Sequence, residues 1–193
     1  MATLVVGASG ATGKHLVALL LNQGGEVKVI VRDIGSLPKQ IANHEKLTII
    51  EESILALNPK QLKEYVSDCD AVACCLGHNM TFKGMFGQPR RLVTEATSNI
   101  CAAIKDNNAL KLTKFVLMNT TGNSKTDVPE KTSLSHKLVI ALLRLLLPPH
   151  VDNEKAADYL RLNIGQDDKR IEWVVVRPDG LIDESDVSEY DIH

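Results

Sequence analysis

The sequence predicts an α/β fold, a doubly wound parallel sheet in three layers. Three observations carry that expectation. Apolar strand-like runs alternate with helical spacings along the chain, a glycine-rich turn (Gly7-Ala8-Ser9-Gly10-Ala11-Thr12-Gly13) joins the first run to the first helix, and the connections are short and polar. With 193 residues and 44% hydrophobic content, the chain can bury one substantial core but is short for two, so residues 1–193 are expected to form one domain.

Thr3, Leu4, Val5 and Val6 make the first strand, apolar on both faces as a strand covered above and below must be. The helix after the glycine turn carries Leu16, Leu19 and Leu20 at helical spacing and runs to about Gln23, where Gly24 and Gly25 end it. Val27, Lys28, Val29, Ile30 and Val31 follow at βαβ distance as the second strand. A loop containing Pro38 leads to the third, Leu47-Thr48-Ile49-Ile50. Asn58 and Pro59 start a helix through Leu62 and Val66, because proline is tolerated at the first helical position.

Ala71-Val72-Ala73-Cys74-Cys75-Leu76 reads as a buried strand ending at Gly77. A glycine-containing loop, 78–88, precedes Pro89, after which Leu92, Val93, Ala96, Ile100, Ala103 and Ile104 recur at helical spacing. Phe115-Val116-Leu117-Met118 is the fifth strand. Helices are expected over about 135–147 and 153–163, before the strongest strand signal, Ile171-Glu172-Trp173-Val174-Val175-Val176. No repeat or low-complexity segment occurs. The pattern is Rossmann-like, and such sheets bind their ligands beyond the carboxyl ends of the strands.

The glycine turn implies a dinucleotide. Glycines let the backbone turn tightly and approach a pyrophosphate, while free N–H groups and the helix dipole favour negative charge at the helix start. Its spacing is Gly-x-x-Gly-x-x-Gly, whereas the commoner fingerprint is Gly-x-Gly-x-x-Gly with an acidic residue further on. The bland alternative is a glycine turn that merely packs a helix on a sheet. At the end of the second strand, Arg32 stands where an NAD site usually presents a carboxylate to ribose. A guanidinium there suits a 2′-phosphate, so NADP is favoured and NAD stays possible. Asp33 either turns away or binds ribose itself, and the plain alternative for Arg32 is a surface ion pair.

Composition narrows the remaining classes. The formal charge is −2 with Lys and Arg scattered, which leaves no electrostatic footprint for nucleic acid. The N-terminus enters a strand without a secretory pattern, so a cytoplasmic location is expected. Cys74 and Cys75 are adjacent in an apolar run and point to opposite sheet faces, so with Cys69 and Cys101 they are expected to be reduced, and no metal site is expected. The apolar segment 138–147, opened by Leu138 and closed by Leu147, is too short for the roughly 18–20 residues of a membrane span and contains Arg144. It fits a helix packed within the chain, a homo-oligomer or protein-partner contact, or a membrane-surface helix.

Taken together, Val6-Gly7-Ala8-Ser9-Gly10-Ala11-Thr12-Gly13, Val29-Ile30-Val31-Arg32-Asp33, Lys155-Ala156-Ala157-Asp158-Tyr159-Leu160-Arg161 and Trp173-Val174-Val175-Val176-Arg177-Pro178 resemble the atypical short-chain dehydrogenase/reductase superfamily. The likeness is particularly to its NmrA-like and biliverdin-reductase-B or flavin-reductase-like NAD(P)-binding members, and it covers nearly the whole chain. By that resemblance Gly7, Ser9, Gly10, Ala11, Thr12 and Gly13 would hold the pyrophosphate and adjoining ribose, and Arg32 the adenosine phosphate. Ser53 and Ile54 fall where relatives often have an aspartate and an apolar residue near adenine. Leu76 and Gly77 would border the adenosine side, with Asn119, Thr120, Thr121, Pro178 and Asp179 near nicotinamide. Relatives often continue beyond the equivalent of Gly180 with elements that close the substrate pocket, so part of that pocket is expected to be reduced, supplied differently or absent.

Short-chain dehydrogenases commonly use Tyr-x-x-x-Lys, the tyrosine exchanging a proton with the oxyanion that hydride addition creates. Here Lys155 matches the lysine and Val151 occupies the tyrosine place. Neither Tyr65 nor Tyr159 has a lysine four positions later. The resemblance therefore implies an NADP(H)-dependent oxidoreductase acting on a small acceptor (flavin, quinone or carbonyl), with ordinary alcohol dehydrogenation disfavoured and the proton drawn from water. The alternative is a non-catalytic NADP sensor or interaction protein of NmrA-like type. Thr120, Thr121 and Lys155 are the candidate catalytic groups, with turn contacts and a helix surface as their ordinary readings. His78 is read mainly as a solvated loop histidine, secondarily as a ligand contact. His136, His150, Glu51 and Glu52 receive no role.

Overall fold

The computed structural model describes residues 1–78, 81, 84, 86–107, 111–120, 147–178, 181 and 189–191. In chain order these form β1 (Ala2–Val6), α1 (Ala11–Asn22), β2 (Glu26–Val31), α2 (Lys39–Ala42), β3 (Leu47–Glu51), α3 (Pro59–Val66), β4 (Ala71–Cys74), α4 (Leu92–Asp106), β5 (Thr113–Met118), α5 (Pro148–Tyr159) and β6 (Ile171–Val176). All six strands are parallel, in the order β3-β2-β1-β4-β5-β6. The chain thus winds outward from β1 in one direction and from β4 in the other. The switch point lies between them, where Val6 pairs with Cys74, and a crevice at such a point is where open α/β sheets bind ligands.

Two apolar layers follow from the strand period of two. Leu4 and Val6 of β1, Val72 and Cys74 of β4, and Phe115 and Leu117 of β5 face the larger cluster, which α3, α4 and α5 cover. Val5, Val29, Val31 and Ala73 face the smaller one, beneath α1 and α2. The all-buried pattern of β1 and β4 is the central-strand signature, whereas edge strand β6 alternates. Phe115 is fully buried in the larger cluster, and truncating it to alanine costs about 3–5 kcal/mol.

Local chemistry sets the helix ends. Asn58 and Gln61 form a reciprocal capping box at α3, with Pro59 at its first position. At the end of α1, Gly24 takes φ +79° and its N–H bonds Leu21 O, a left-handed stop that glycine makes at little cost.

The sequence reading differs from the structure at three elements. Where a Pro38 loop was expected, a 3-10 turn (Ile34–Ser36) and the short α2 form, capped by Asp33 and opened by Pro38. Strand β4 ends at Cys74, two residues before the expected end, with Cys75 N–H making a last bond to Val6 O at 2.9 Å. Helix α5 starts at Pro148 instead of near 153, because Pro148 and Pro149 sit at initial positions where a missing N–H costs nothing, and it runs into a π-helical turn, Leu160–Ile164. The expected helix over 135–147 lies outside the described residues except for Leu147.

Candidate dinucleotide site

The glycine turn lies at the switch point, and two of its glycines are required by packing. Gly7 has φ +80°, and a Cβ there would stand 2.4 Å from the Cys75 carbonyl oxygen. The end of β1 therefore touches the end of β4 backbone to backbone. A Cβ on Gly13 would stand 2.1 Å from Gly7 O, so α1 is seated directly on the turn. Gly10 N–H donates to Gly7 O at 3.0 Å, closing the loop.

Gly10 is the N-cap of α1 and offers no side-chain acceptor, and no acidic residue lies in the first turn. The first bond into the helix runs from Lys14 N–H to Gly10 O at 3.1 Å. The amides of Ala11, Thr12 and Gly13 precede it and are left for an external acceptor. Ser9, Gly10 and Ala11 are exposed and Thr12 is half-buried, so an anion can reach them. Among the described residues, the other helices of eight residues or more are closed. Asn58 caps α3, prolines open α5, and a carboxylate from α5 fills the start of α4. The open amides of α1 fit a pyrophosphate.

At the end of β2, Asp33 caps the turn that follows it. Its carboxylate accepts from Gly35 N–H at 2.8 Å and caps its own 3-10 turn, while Ile34 N–H donates to Glu51 Oε1 at 3.0 Å. Arg32 is exposed, and its side chain makes no ion pair among the described residues. Ser53 is half-buried beside the end of β3, and its N–H donates to Glu52 Oε1 at 3.0 Å. Ile54 packs into the larger core. Leu76 is half-buried, and Gly77 is exposed with open space where a Cβ would point.

Beyond β4, Asn119 leaves β5 with its N–H on Val176 O at 2.8 Å and its Nδ2 on Asn153 O at 3.0 Å. Its Oδ1 accepts from Thr120 N–H at 2.9 Å. The side chain thus ties the end of β5 to α5. Thr120 and Pro178 are half-buried, Lys155 is exposed on α5, and Val151 stands one turn before it. Thr121, His136, Asp179 and residues 138–146 lie outside the described residues.

Sequence reasoning missed Asp152, which is buried in the middle of α5. Its Oδ2 accepts from Val93 N–H at 2.8 Å, and its Oδ1 from Thr94 N–H at 3.0 Å and Thr94 Oγ1 at 2.6 Å. His78 Nε2 lies 2.8 Å from Oδ2, and His78 Nδ1 lies 3.2 Å from Gly84 O. The His78 side chain is 6% exposed, which corrects its reading as a solvated histidine. The available signal was the helix start at Leu92, which has no capping side chain of its own. His150 is also buried, with Nε2 3.5 Å from Glu154 Oε1.

The thiols stay protonated at neutral pH. Burial pushes Cys74 and Cys101 up to about 12, and Cys69 and Cys75 up to about 11. All four cysteines are free. Among the described residues no three His, Cys, Asp or Glu side chains group as metal ligands, and no helix is long and apolar enough to cross a membrane.

A Rossmann-like sheet with an open, glycine-built helix start at its switch point defines a dinucleotide-binding protein. The chain belongs to the NAD(P)H-binding family, whose model matches residues 7–192. This agrees with the resemblance to the atypical short-chain dehydrogenase/reductase superfamily. Over 178 residues it is 27% identical to an uncharacterised, chloroplastic protein of Arabidopsis thaliana, covering 92% of this chain and 58% of that protein. The chain therefore spans little more than half of that relative. An oxidoreductase from Lactococcus lactis shares the fold with a TM-score of 0.66 at 14% identity, over 96% of this chain and 72% of that one. So does a short-chain dehydrogenase/reductase from Veillonella parvula in complex with NADP, with a TM-score of 0.62 at 17% identity, over 91% and 68%.

Proposed function

We propose that the protein is an NADP(H)-dependent oxidoreductase of atypical short-chain dehydrogenase/reductase type that reduces a small flavin, quinone or carbonyl acceptor. The observation that carries this reading is the exposed Arg32 guanidinium at the end of β2, with Asp33 committed to its own turn. A cation rather than a carboxylate meets the adenosine ribose, which suits a 2′-phosphate. When bound, the nicotinamide supplies hydride-transfer chemistry.

The chain's own residues bind and orient. The amides of Ala11, Thr12 and Gly13 take the pyrophosphate, and Leu76 and Gly77 border the adenosine side. Lys155 and Thr120 lie toward the second half of the ligand, with Asn119 holding β5 to α5. Val151 offers no phenol, so a proton comes from water, which favours flavin and quinone acceptors over ordinary carbonyls. NADPH oxidation measured across a panel of flavins, quinones and carbonyls tests the reading. Binding of NADPH without turnover on any acceptor overturns it.

Val151 also motivates a second reading, an NADP-sensing interaction protein of NmrA-like type. It is tested by pull-down with NADP+, with NADPH and with neither, and a partner set that does not change counts against it.

A further inference from the structure

We propose that Asp152 is a positioning residue for the nicotinamide half of the site, acting by fixing the rotation of α5. The inference rests on the dinucleotide reading above. An unfilled start of α4 would carry free amides and a positive dipole end. Asp152 fills it from the neighbouring helix, taking the amides of Val93 and Thr94 and the Thr94 hydroxyl. The next residue, Asn153, accepts from Asn119 Nδ2 of the β5 end at 3.0 Å.

Two consecutive residues are thereby bound to two different elements. That fixes α5 in height and in rotation about its axis. Ala156 and Leu160, one and two turns after Asp152, are fully buried in the same core and hold the same face inward. With that face set, Val151 and Lys155 share a face about a quarter-turn away, one helical turn apart. His78 braces the carboxylate from the loop after β4, its second nitrogen on Gly84 O. The loop after β4 and the start of α4 therefore meet on the one buried carboxylate of α5, and the end of β5 is bound to the residue after it. All of them belong to the half of the sheet opposite Arg32, where the second mononucleotide of a dinucleotide lies.

The test separates the two halves of the ligand. NADPH binding is followed by its own fluorescence, and an adenosine bisphosphate fragment carrying the 2′-phosphate but no nicotinamide is measured by competition. In Asp152→Asn an amide NH2 faces backbone donors, so α5 loses its pin. NADPH affinity is expected to fall about tenfold, with a changed nicotinamide emission, while the fragment binds within about twofold of wild type. Thr94→Val is expected to move NADPH in the same direction and Thr94→Ser to restore it, which keeps the question answerable if Asp152→Asn does not fold. Equal losses for NADPH and the fragment, or no loss for either in folded variants, overturn the inference. Failure of wild type to bind the fragment overturns the dinucleotide reading instead.

Discussion

The carboxylate of Asp152 accepts both donors of Thr94, the amide at 3.0 Å and the hydroxyl at 2.6 Å, across 58 residues of sequence. One helix is capped by another. The arrangement does for α4 what Asn58 does for α3 locally, but it also joins two crossover helices of the larger core. Removing the carboxylate strips the Val93 and Thr94 amides of their acceptor and takes away the His78 contact, leaving the Thr94 hydroxyl the Asp152 carbonyl oxygen at 3.0 Å, whereas removing that hydroxyl leaves the carboxylate its other partners. Urea denaturation is expected to show a loss of about 3 kcal/mol or more for Asp152→Ala and about 1–2 kcal/mol for Thr94→Val. The reverse ranking would mean that the carboxylate is not the hub.

Arg32 follows β2, on the other half of the sheet, and is in the opposite physical regime. It is exposed, so replacing it leaves the fold untouched and acts on binding alone. Arg32→Ala is expected to weaken NADP by ~1.5–3 kcal/mol, the worth of a charge-assisted hydrogen bond, and to leave NAD little changed. Calorimetric titration of both nucleotides decides it. Equal losses would remove Arg32 from the 2′-phosphate.

The glycine turn separates packing from binding. Gly7→Ala and Gly13→Ala drive a methyl into backbone, 2.4 Å from Cys75 O and 2.1 Å from Gly7 O, and Gly7 adds a positive φ. Neither neighbour is a flexible side-chain end, so losses above about 2 kcal/mol are expected without any nucleotide present. Gly77→Ala meets nothing within 4 Å and is expected to stay within about 1 kcal/mol of wild type. Thermal melts of the three apo variants test the contrast. A Gly13→Ala protein as stable as wild type would show that α1 does not seat on the turn.

These contrasts explain what could be read from the residues alone. Val5, Val29 and Ala73 announce their faces by period, and Gly7, Gly13 and Gly24 announce turns, because each signal lies within a few neighbouring residues. The parallel, doubly wound sheet then follows from the alternation of elements, whereas its strand order is seen only in the structure. The capping role of Asp33 became visible only with its turn, because its donor is the amide of Gly35. Asp152 and His78 were silent because their partners come from another part of the chain, 74 residues apart in their own contact. A carboxylate in mid-helix reads as a solvated face until α4 arrives beside it. Pro148 and Pro149 occupy the first positions of α5, so that helix starts five residues before the expected 153.

Acid sensitivity should concentrate at the amino end of β6. Asp168 Oδ1 accepts from Arg170 N–H at 2.9 Å and Ile171 N–H at 3.1 Å, and its Oδ2 pairs with Lys105 Nζ at 2.7 Å, fastening α4 to the start of that strand. Burial alone would raise its pKa, but the Lys105 bond and charge and the two amides together outweigh it and hold the carboxyl below the usual 3.8. A carboxyl depressed in the folded state stabilises the fold above its unfolded pKa, and that contribution disappears as pH falls through the native value. Asp168→Asn is therefore expected to unfold at lower urea than wild type at neutral pH. The gap should hold down to the usual carboxylate range and close below 3.8, as the wild-type group takes up its proton. Urea midpoints measured across the acid range report it directly, and a gap that stays constant through that range would show that the group's ionisation does not contribute to the stability of this corner.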